Sequence, residues 1–428
     1  MKMHMWRILS LILLLGVSAC TTSRKVPTPV GNEDPVVRET STANIPVLTA
    51  LKGRYLLIDS TRLQVYLDAV ISPLDTTSAL ELINKRFRIG WMVNSDYSLR
   101  DRLATGRVEL GPDNFKQHGE HSYFIFEIPR PTGLTSGVLL IEFADFQASK
   151  KYTNDFFIDF TGRRVSDRFK LFAQGESFPY PKSYIRQGDS LQIKSIIPTD
   201  QALYLVKYKQ VHGPAPSPMS AQKNQDTREP ARESVKPIRN GAWIQFSEAG
   251  FYAISEDSAR LEQAFGFLVV DDRYPRLTRP ERLTEPVIYM STPLEIQQIQ
   301  ATANAKQALD MYFLNLTSGD ASVAQRTIRK FYQRVEEANE FFTTYKEGWK
   351  TDKGMIYTIM GPPNRIQKSR DREIWLYSQS QNFSEILFTF YRKPNQYVED
   401  HYELLRYPEY QSYWFPIVEA WRTGNVAD

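Results

Sequence analysis

From residue 51 to residue 160 the apolar positions come in short alternating runs: Arg54-Tyr55-Leu56-Leu57-Ile58, Leu63-Gln64-Val65-Tyr66-Leu67, Phe87-Arg88-Ile89-Gly90-Trp91-Met92-Val93, Tyr123-Phe124-Ile125-Phe126-Glu127-Ile128 and Val138-Leu139-Leu140-Ile141-Glu142-Phe143. Alternation of this kind, broken by Gly, Pro, Asn and Asp, predicts an antiparallel sandwich, with Phe156-Phe157-Ile158-Asp159-Phe160 as its last strand. A second region repeats the pattern in Ser190-Leu191-Gln192-Ile193-Lys194-Ser195-Ile196, Ala202-Leu203-Tyr204-Leu205-Val206-Lys207-Tyr208, Trp243-Ile244-Gln245-Phe246, Gly250-Phe251-Tyr252-Ala253-Ile254 and Gly266-Phe267-Leu268-Val269-Val270. Between its halves, residues 213–237 are dense in Pro, Ser, Gln and charge, and are expected to form a mobile loop. These regions define β-sandwich-like domains over 47–165 and 166–291.

At residue 293 the period changes. Thr292-Pro293-Leu294-Glu295 has the form of a helix start, and Ile296, Ile299, Ala303, Leu309, Phe313 and Leu316 follow at helical spacing. Thr317-Ser318-Gly319-Asp320 interrupts, and Ile328, Phe331, Val335, Ala338, Phe342 and Tyr345 then recur at steps of three and four. The pair predicts a helical hairpin with one apolar face packed. Gly348-Trp349-Lys350-Thr351-Asp352 ends it. Met355 through Met360 is continuously apolar and reads as a buried strand stopped by Gly361-Pro362-Pro363; strands at Glu373-Ile374-Trp375-Leu376-Tyr377, Ile386-Leu387-Phe388-Thr389-Phe390-Tyr391 and Tyr402-Glu403-Leu404-Leu405-Arg406 follow. Two β-sandwich-like domains are thus followed by an α+β domain, residues 292–410, made of a helical hairpin and an antiparallel sheet, with an aromatic tail at 411–428.

The N-terminus adds location. Residues 1–7 are short and basic, residues 8–17 are apolar but too few to span a bilayer, and Val17-Ser18-Ala19-Cys20 follows. This resembles the signal peptide and lipobox of bacterial lipoproteins, which implies cleavage after residue 19 and acylation, palmitate among the chains, of Cys20. Cys20 is the only cysteine among 428 residues, so no internal disulfide is possible. Residues 20–46, rich in Pro, Thr and Ser, read as a flexible tether. The lipoprotein resemblance, with neither an Asp after Cys20 nor an acidic cluster, implies an outer-membrane anchor facing the periplasm, with the cell surface as the alternative. A net charge of +4, partly from Lys2 and Arg7 in the cleaved segment, gives no reason to invoke nucleic acid.

Gly348-Trp349-Lys350-Thr351-Asp352, the run Gly354-x-Ile356-Tyr357-x-x-x-Gly361-Pro362-Pro363 and Glu373-x-Trp375-x-Tyr377 together resemble the GWxTD domain family of lipoproteins. The resemblance spans about residues 293–406 and implies an envelope lipoprotein with β-rich N-terminal regions, without a known reaction. The stretch from Gly354 to Tyr377 is also similar to the SmpA/OmlA (BamE-like) lipoproteins of outer-membrane protein assembly, although the strand expected at Met355–Met360 stands where that family has a helix.

Little in the sequence points to catalysis. Near Thr351 and Asp352 the sequence offers Lys350, Lys353 and Glu347 but no histidine before His401, and no phosphate loop, zinc signature or nucleophile elbow is present. His118-Gly119-Glu120-His121 has the wrong spacing for a helical zinc pair, and Asp271-Asp272 reads as a solvated strand end. No metal and no cofactor is expected. Gly348, Trp349, Thr351, Asp352, Gly354, Gly361, Pro362, Trp375 and Tyr377 are assigned structural roles, and Tyr410, Tyr413, Trp414, Phe415 and Trp421 are candidate partner contacts unless they pack on their own domain. The expectation is a non-catalytic scaffold or accessory subunit of an envelope complex, with a β-barrel assembly or export machine as partner. The alternative is a carbohydrate-binding lipoprotein using Trp91, Trp243 and Trp414, and a hydrolase built on Thr351 and Asp352 is the third reading.

Overall fold

The computed structural model of the protein describes residues 47–72, 78–97, 101–209, 212–221, 230–259, 261–378 and 385–426, so the expected signal peptide, Cys20 and tether lie outside the described residues. The first alternating region forms β1 (Val47–Leu57), β2 (Arg62–Ser72), α1 (Ala79–Arg86), β3 (Phe87–Asn94), β4 (Arg102–Val108), β5 (Phe115–His118), β6 (His121–Pro129), β7 (Ser136–Asp145) and β8 (Lys150–Asp159). These make two antiparallel sheets of order β1-β2-β6-β5 and β4-β3-β7-β8. In β2 every second side chain, from Leu63 through Val65, Leu67 and Ala69 to Ile71, is buried, because strand side chains alternate between faces. Phe124 of one sheet meets Phe143 of the other at 5.6 Å between ring centroids. The edge strand β4 carries few apolar residues and none that is buried, which is why no strand was expected there.

The second region comprises α2 (Val165–Arg168), β9 (Phe169–Phe172), β10 (Tyr184–Arg186), β11 (Ser190–Ser195), β12 (Leu203–Tyr208), β13 (Arg232–Ile238), β14 (Trp243–Gln245), β15 (Gly250–Ser255) and β16 (Phe265–Val270). Its sheets run β10-β16-β15-β12-β13 and β14-β11-β9. The loop expected at 213–237 needs correction at both ends. Residues 232–237 belong to edge strand β13, whose polar side chains face water while its backbone pairs with β12. Ala215 is buried, and its N–H donates to the Lys350 carbonyl at 2.9 Å.

The helical region contains α3 (Pro280–Leu283), α4 (Pro293–Ala301), α5 (Ala305–Leu316), α6 (Ala321–Phe342) and α7 (Asp352–Met360), with a 3-10 turn at Gly348–Lys350. The first arm of the expected hairpin is thus two helices, because the Asn304 side chain accepts from the Gln307 N–H at 3.0 Å and starts α5 afresh. A second correction concerns Met355–Met360, which is helical and not a strand. The sheet is β17-β18-β19-β20, built from β17 (Arg365–Lys368), β18 (Arg372–Ser378), β19 (Glu385–Arg392) and β20 (Tyr402–Leu404), all antiparallel. The tail forms α8 (Gln411–Arg422).

The three regions share surfaces within one compact unit, Ile45–Asp428. Tyr208 and Phe251 of the second region cluster with Tyr345 and Tyr397 beyond it. The Arg392 guanidinium lies 3.8 Å from the ring centroid of Phe157 in the first region. Among the described residues no helix is long and apolar enough to cross a membrane.

Candidate functional site

The motif residues sit where α6, α7 and the sheet converge, and each polar group has an internal use. Trp349 is 1 % exposed, its indole N–H donates to the Glu347 carboxylate at 2.9 Å, and its ring meets Tyr289 edge-on at 5.8 Å. The Trp349 N–H donates to the Asn339 side-chain oxygen at 3.2 Å and that of Gly348 to Thr343 Oγ1 at 3.0 Å, pinning the turn to the end of α6. Contact at Gly348 is so close that a Cβ there would lie 2.0 Å from the Ala338 carbonyl, and one on Gly354 would lie 1.8 Å from the Gly348 carbonyl. Both positions therefore exclude any side chain.

Thr351 donates its hydroxyl to the Gly348 carbonyl at 2.7 Å and accepts from the Gly354 N–H at 2.9 Å, which caps α7. Asp352 ties α7 to the sheet: it accepts the Leu404 N–H at 2.8 Å and pairs with Arg406. Burial raises the Glu347 carboxyl, but Lys350 at 3.3 Å and Arg282 at 2.5 Å outweigh it and hold that group below its ordinary range. Burial likewise raises Glu373, and Lys353 at 2.9 Å draws it down. Glu373 in turn accepts from the Trp375 indole at 3.3 Å, and Tyr377 donates to the Gly361 carbonyl at 2.9 Å, where φ is +85°. Pro362 follows as the chain leaves α7 for β17.

Beside this joint a cleft of about 750 Å³ opens between the first region and the α+β region. One wall is Lys52 to Arg54 with Asn154 to Phe157; the other includes Phe341, Phe342, Tyr357, Ile366 and Trp375. Thr351, Asp352 and His401 also line it. The hydroxyl and carboxylate are both engaged as described, and the His401 ring is 3.3 Å from Glu403. Ion pairs Lys52–Glu340, at 3.5 Å, and Lys368–Asp155, at 2.8 Å, cross between the two walls.

The remaining sequence-derived candidates scatter. Tyr410, Trp414 and Trp421 are buried in the α+β core, the Trp421 indole donating to the Ile359 carbonyl at 2.9 Å, so three of the five expected partner contacts are corrected to core residues. Tyr413 is half-buried, and Phe415, 57 % exposed, is the one open aromatic among the five. Of the proposed sugar-stacking residues, Trp414 is in the core, Trp91 packs against the first sandwich and Trp243 alone is exposed, so they form no row. His118 and His121 flank a hairpin turn with His121 Nδ1 2.8 Å from Asp68, and Asp271 accepts the Arg273 N–H at 3.1 Å in a turn after β16. Among the described residues no three His, Cys, Asp or Glu side chains are grouped to hold a metal ion.

A group invisible in the sequence lies where all three regions meet. Tyr55 of β1 donates toward Asp167 of α2 at 3.0 Å and toward Glu399, which precedes β20, at 3.4 Å. Burial pushes Asp167 up to about 6 and Glu399 up to about 8, with Asp400 adding to the latter. These residues are far apart in the chain and no local pattern connects them.

Residues 250–423 match the GWxTD domain family, a span that takes in β15, β16 and α8 as well as the motif. No curated protein matches the chain. Among solved structures, the full ectodomain (Ig1–Ig3) of mouse nectin-like molecule 4 is similar at 10 % identity and a TM-score of 0.16, covering 55 % of this chain. This chain spans 66 % of that ectodomain, just under two thirds, and so low a score carries no argument about fold or function.

Proposed function

We propose that this chain, with its GWxTD domain at residues 250–423, is a non-catalytic scaffold or accessory subunit of an envelope complex, held at the outer membrane by acyl groups on Cys20 and facing the periplasm. The observation that carries the reading is the internal commitment of the motif: Trp349, Thr351 and Asp352 each bond to neighbouring elements, as a joint requires and a nucleophile or general base would not. Apolar side chains left at the surface supply adhesive area. Met311 and Leu314 lie one turn apart on α5, and Leu294 and Phe415 are more than half exposed on α4 and α8. The order helix α7, Gly361-Pro362 turn and Trp375-x-Tyr377 strand also parallels the SmpA/OmlA resemblance, which favours a partner that assembles or exports outer-membrane proteins.

The test is purification of the full chain in mild detergent followed by mass spectrometry. A β-barrel protein recovered in fixed ratio is the expected result. A monomer without partners, or a turnover activity abolished by Asp352→Asn in a folded protein, overturns the reading.

A further inference from the structure

A second cavity, of about 210 Å³, shares Arg54, Ser183, Thr343, Thr344 and Asp400 with the cleft, so the two form one continuous crevice with a narrow and a wide end. The narrow end is lined by Arg54, Lys170 and Lys182. Among the described residues none of the three has a carboxylate within ion-pair distance: Arg54 donates to the Pro181 carbonyl at 2.5 Å, Lys170 donates to the Ser166 carbonyl, and Lys182 lies 5.6 Å from the ring centroid of Tyr184. The acids that share this lining are engaged elsewhere, since Glu399 and Asp400 face Arg392 at 3.5 and 3.1 Å. The wide end is aromatic on one side, with Phe341 57 % exposed over it and Phe342 5.5 Å from Trp375.

Cations withdrawn from water are normally paired, because desolvation without a counter-charge is costly. We propose that this crevice binds an anionic amphiphile: a phosphate or carboxylate held by Arg54, Lys170 and Lys182, with its apolar body along Phe341, Phe342 and Ile366. This site is independent of the scaffold reading. Burial lowers Arg54 to about 10, against the pull of Asp68, and Lys170 to about 8, against that of Asp167 and Glu399. Lys170 faces Tyr55 and Arg54 from β1, Asp167 from α2, Phe265 from β16 and Glu399 from the segment before β20. As pH rises through about 8, Lys170 loses its charge while Glu399 gains one, so anion affinity falls.

Calorimetric titration of the detergent-solubilised full chain with octyl phosphate, inorganic phosphate, dihexanoyl phosphatidic acid and octyl glucoside tests the site. Octyl phosphate is expected to saturate one site, at least about tenfold tighter than inorganic phosphate, and Arg54→Gln or the rim variant Lys182→Gln should each weaken it about tenfold, the scale of one charged hydrogen bond. Tighter binding of the two-chain phosphatidic acid identifies a lipid as the source, and tighter binding of octyl phosphate a single-chain anion. Octyl glucoside binding as well as octyl phosphate, inorganic phosphate matching it, or folded Lys182→Gln protein binding like the parent overturns the proposal.

Discussion

Trp349 and Asp352 are adjacent to each other in role as well as nearly in sequence. The indole fills the space between α6, the 3-10 turn and Tyr289, and the carboxylate joins α7 to β20 through Leu404 and Arg406. Trp349→Ala leaves a cavity in a region where backbone already touches backbone at Gly348 and Gly354, so collapse cannot fill it, and the expected cost is about 3–5 kcal/mol. Asp352→Asn keeps the shape but leaves Arg406 without its counter-charge; a loss of about 3 kcal/mol is expected, the lower end for breaking a buried pair. Urea unfolding of both variants measures these losses. Near-parental stability for Trp349→Ala would contradict its place in the core.

At the scale of elements, the strands were readable wherever a buried face alternates with a polar one, as in β2, β6 and β7. Helix α7 was not, because its interior position buries nearly every side chain and erases the periodicity that separates helix from strand. The signal for a helix lies at its start: Thr351 is an N-cap residue three positions before Gly354, and Asp352 puts an acid in the first turn. β4 and β13 lack the pattern for the opposite reason, being edge strands that need only backbone partners. The turn and cap contacts of Gly348 and Thr351 are local and go with residue types visible in the sequence, whereas the crevice and the Tyr55–Asp167–Glu399 group depend on contacts across the chain. The cap makes a measurable claim. Thr351→Ala should lower stability by about 1 kcal/mol with an unchanged denaturant slope, and Thr351→Ser should restore most of it. Equal losses for Ala and Ser would mean that the methyl group, and not the hydroxyl, is what the site requires.

For the whole molecule the decisive feature is that the regions are joined by buried polar groups. Tyr55, Asp167 and Glu399 come one from each, and Arg164 of the second region donates to the Asn395 carbonyl of the third at 2.9 Å. Tyr55 has one proton and two carboxylates within reach, so the second carboxylate is best satisfied by carrying a proton of its own. That geometry agrees with Glu399 being raised to about 8 by burial and by Asp400, against the pull of Arg392 and Arg164. A carboxyl that binds its proton more tightly folded than unfolded makes stability fall as pH rises. The loss begins near the ordinary value of 4.5 and is complete above about 8. Asp167, raised to about 6, contributes only to the lower part of that window, and Lys170, lowered to about 8, acts in the opposite direction only above it. Between pH 6 and 8 the slope therefore belongs mainly to Glu399. Glu399→Gln keeps the shape without the ionisation, so its urea midpoint should be nearly flat across this interval while that of the parent declines. Parallel declines in the two proteins would show that Glu399 is already ionised at pH 6 and that the junction is held by Arg392 and Arg164 instead.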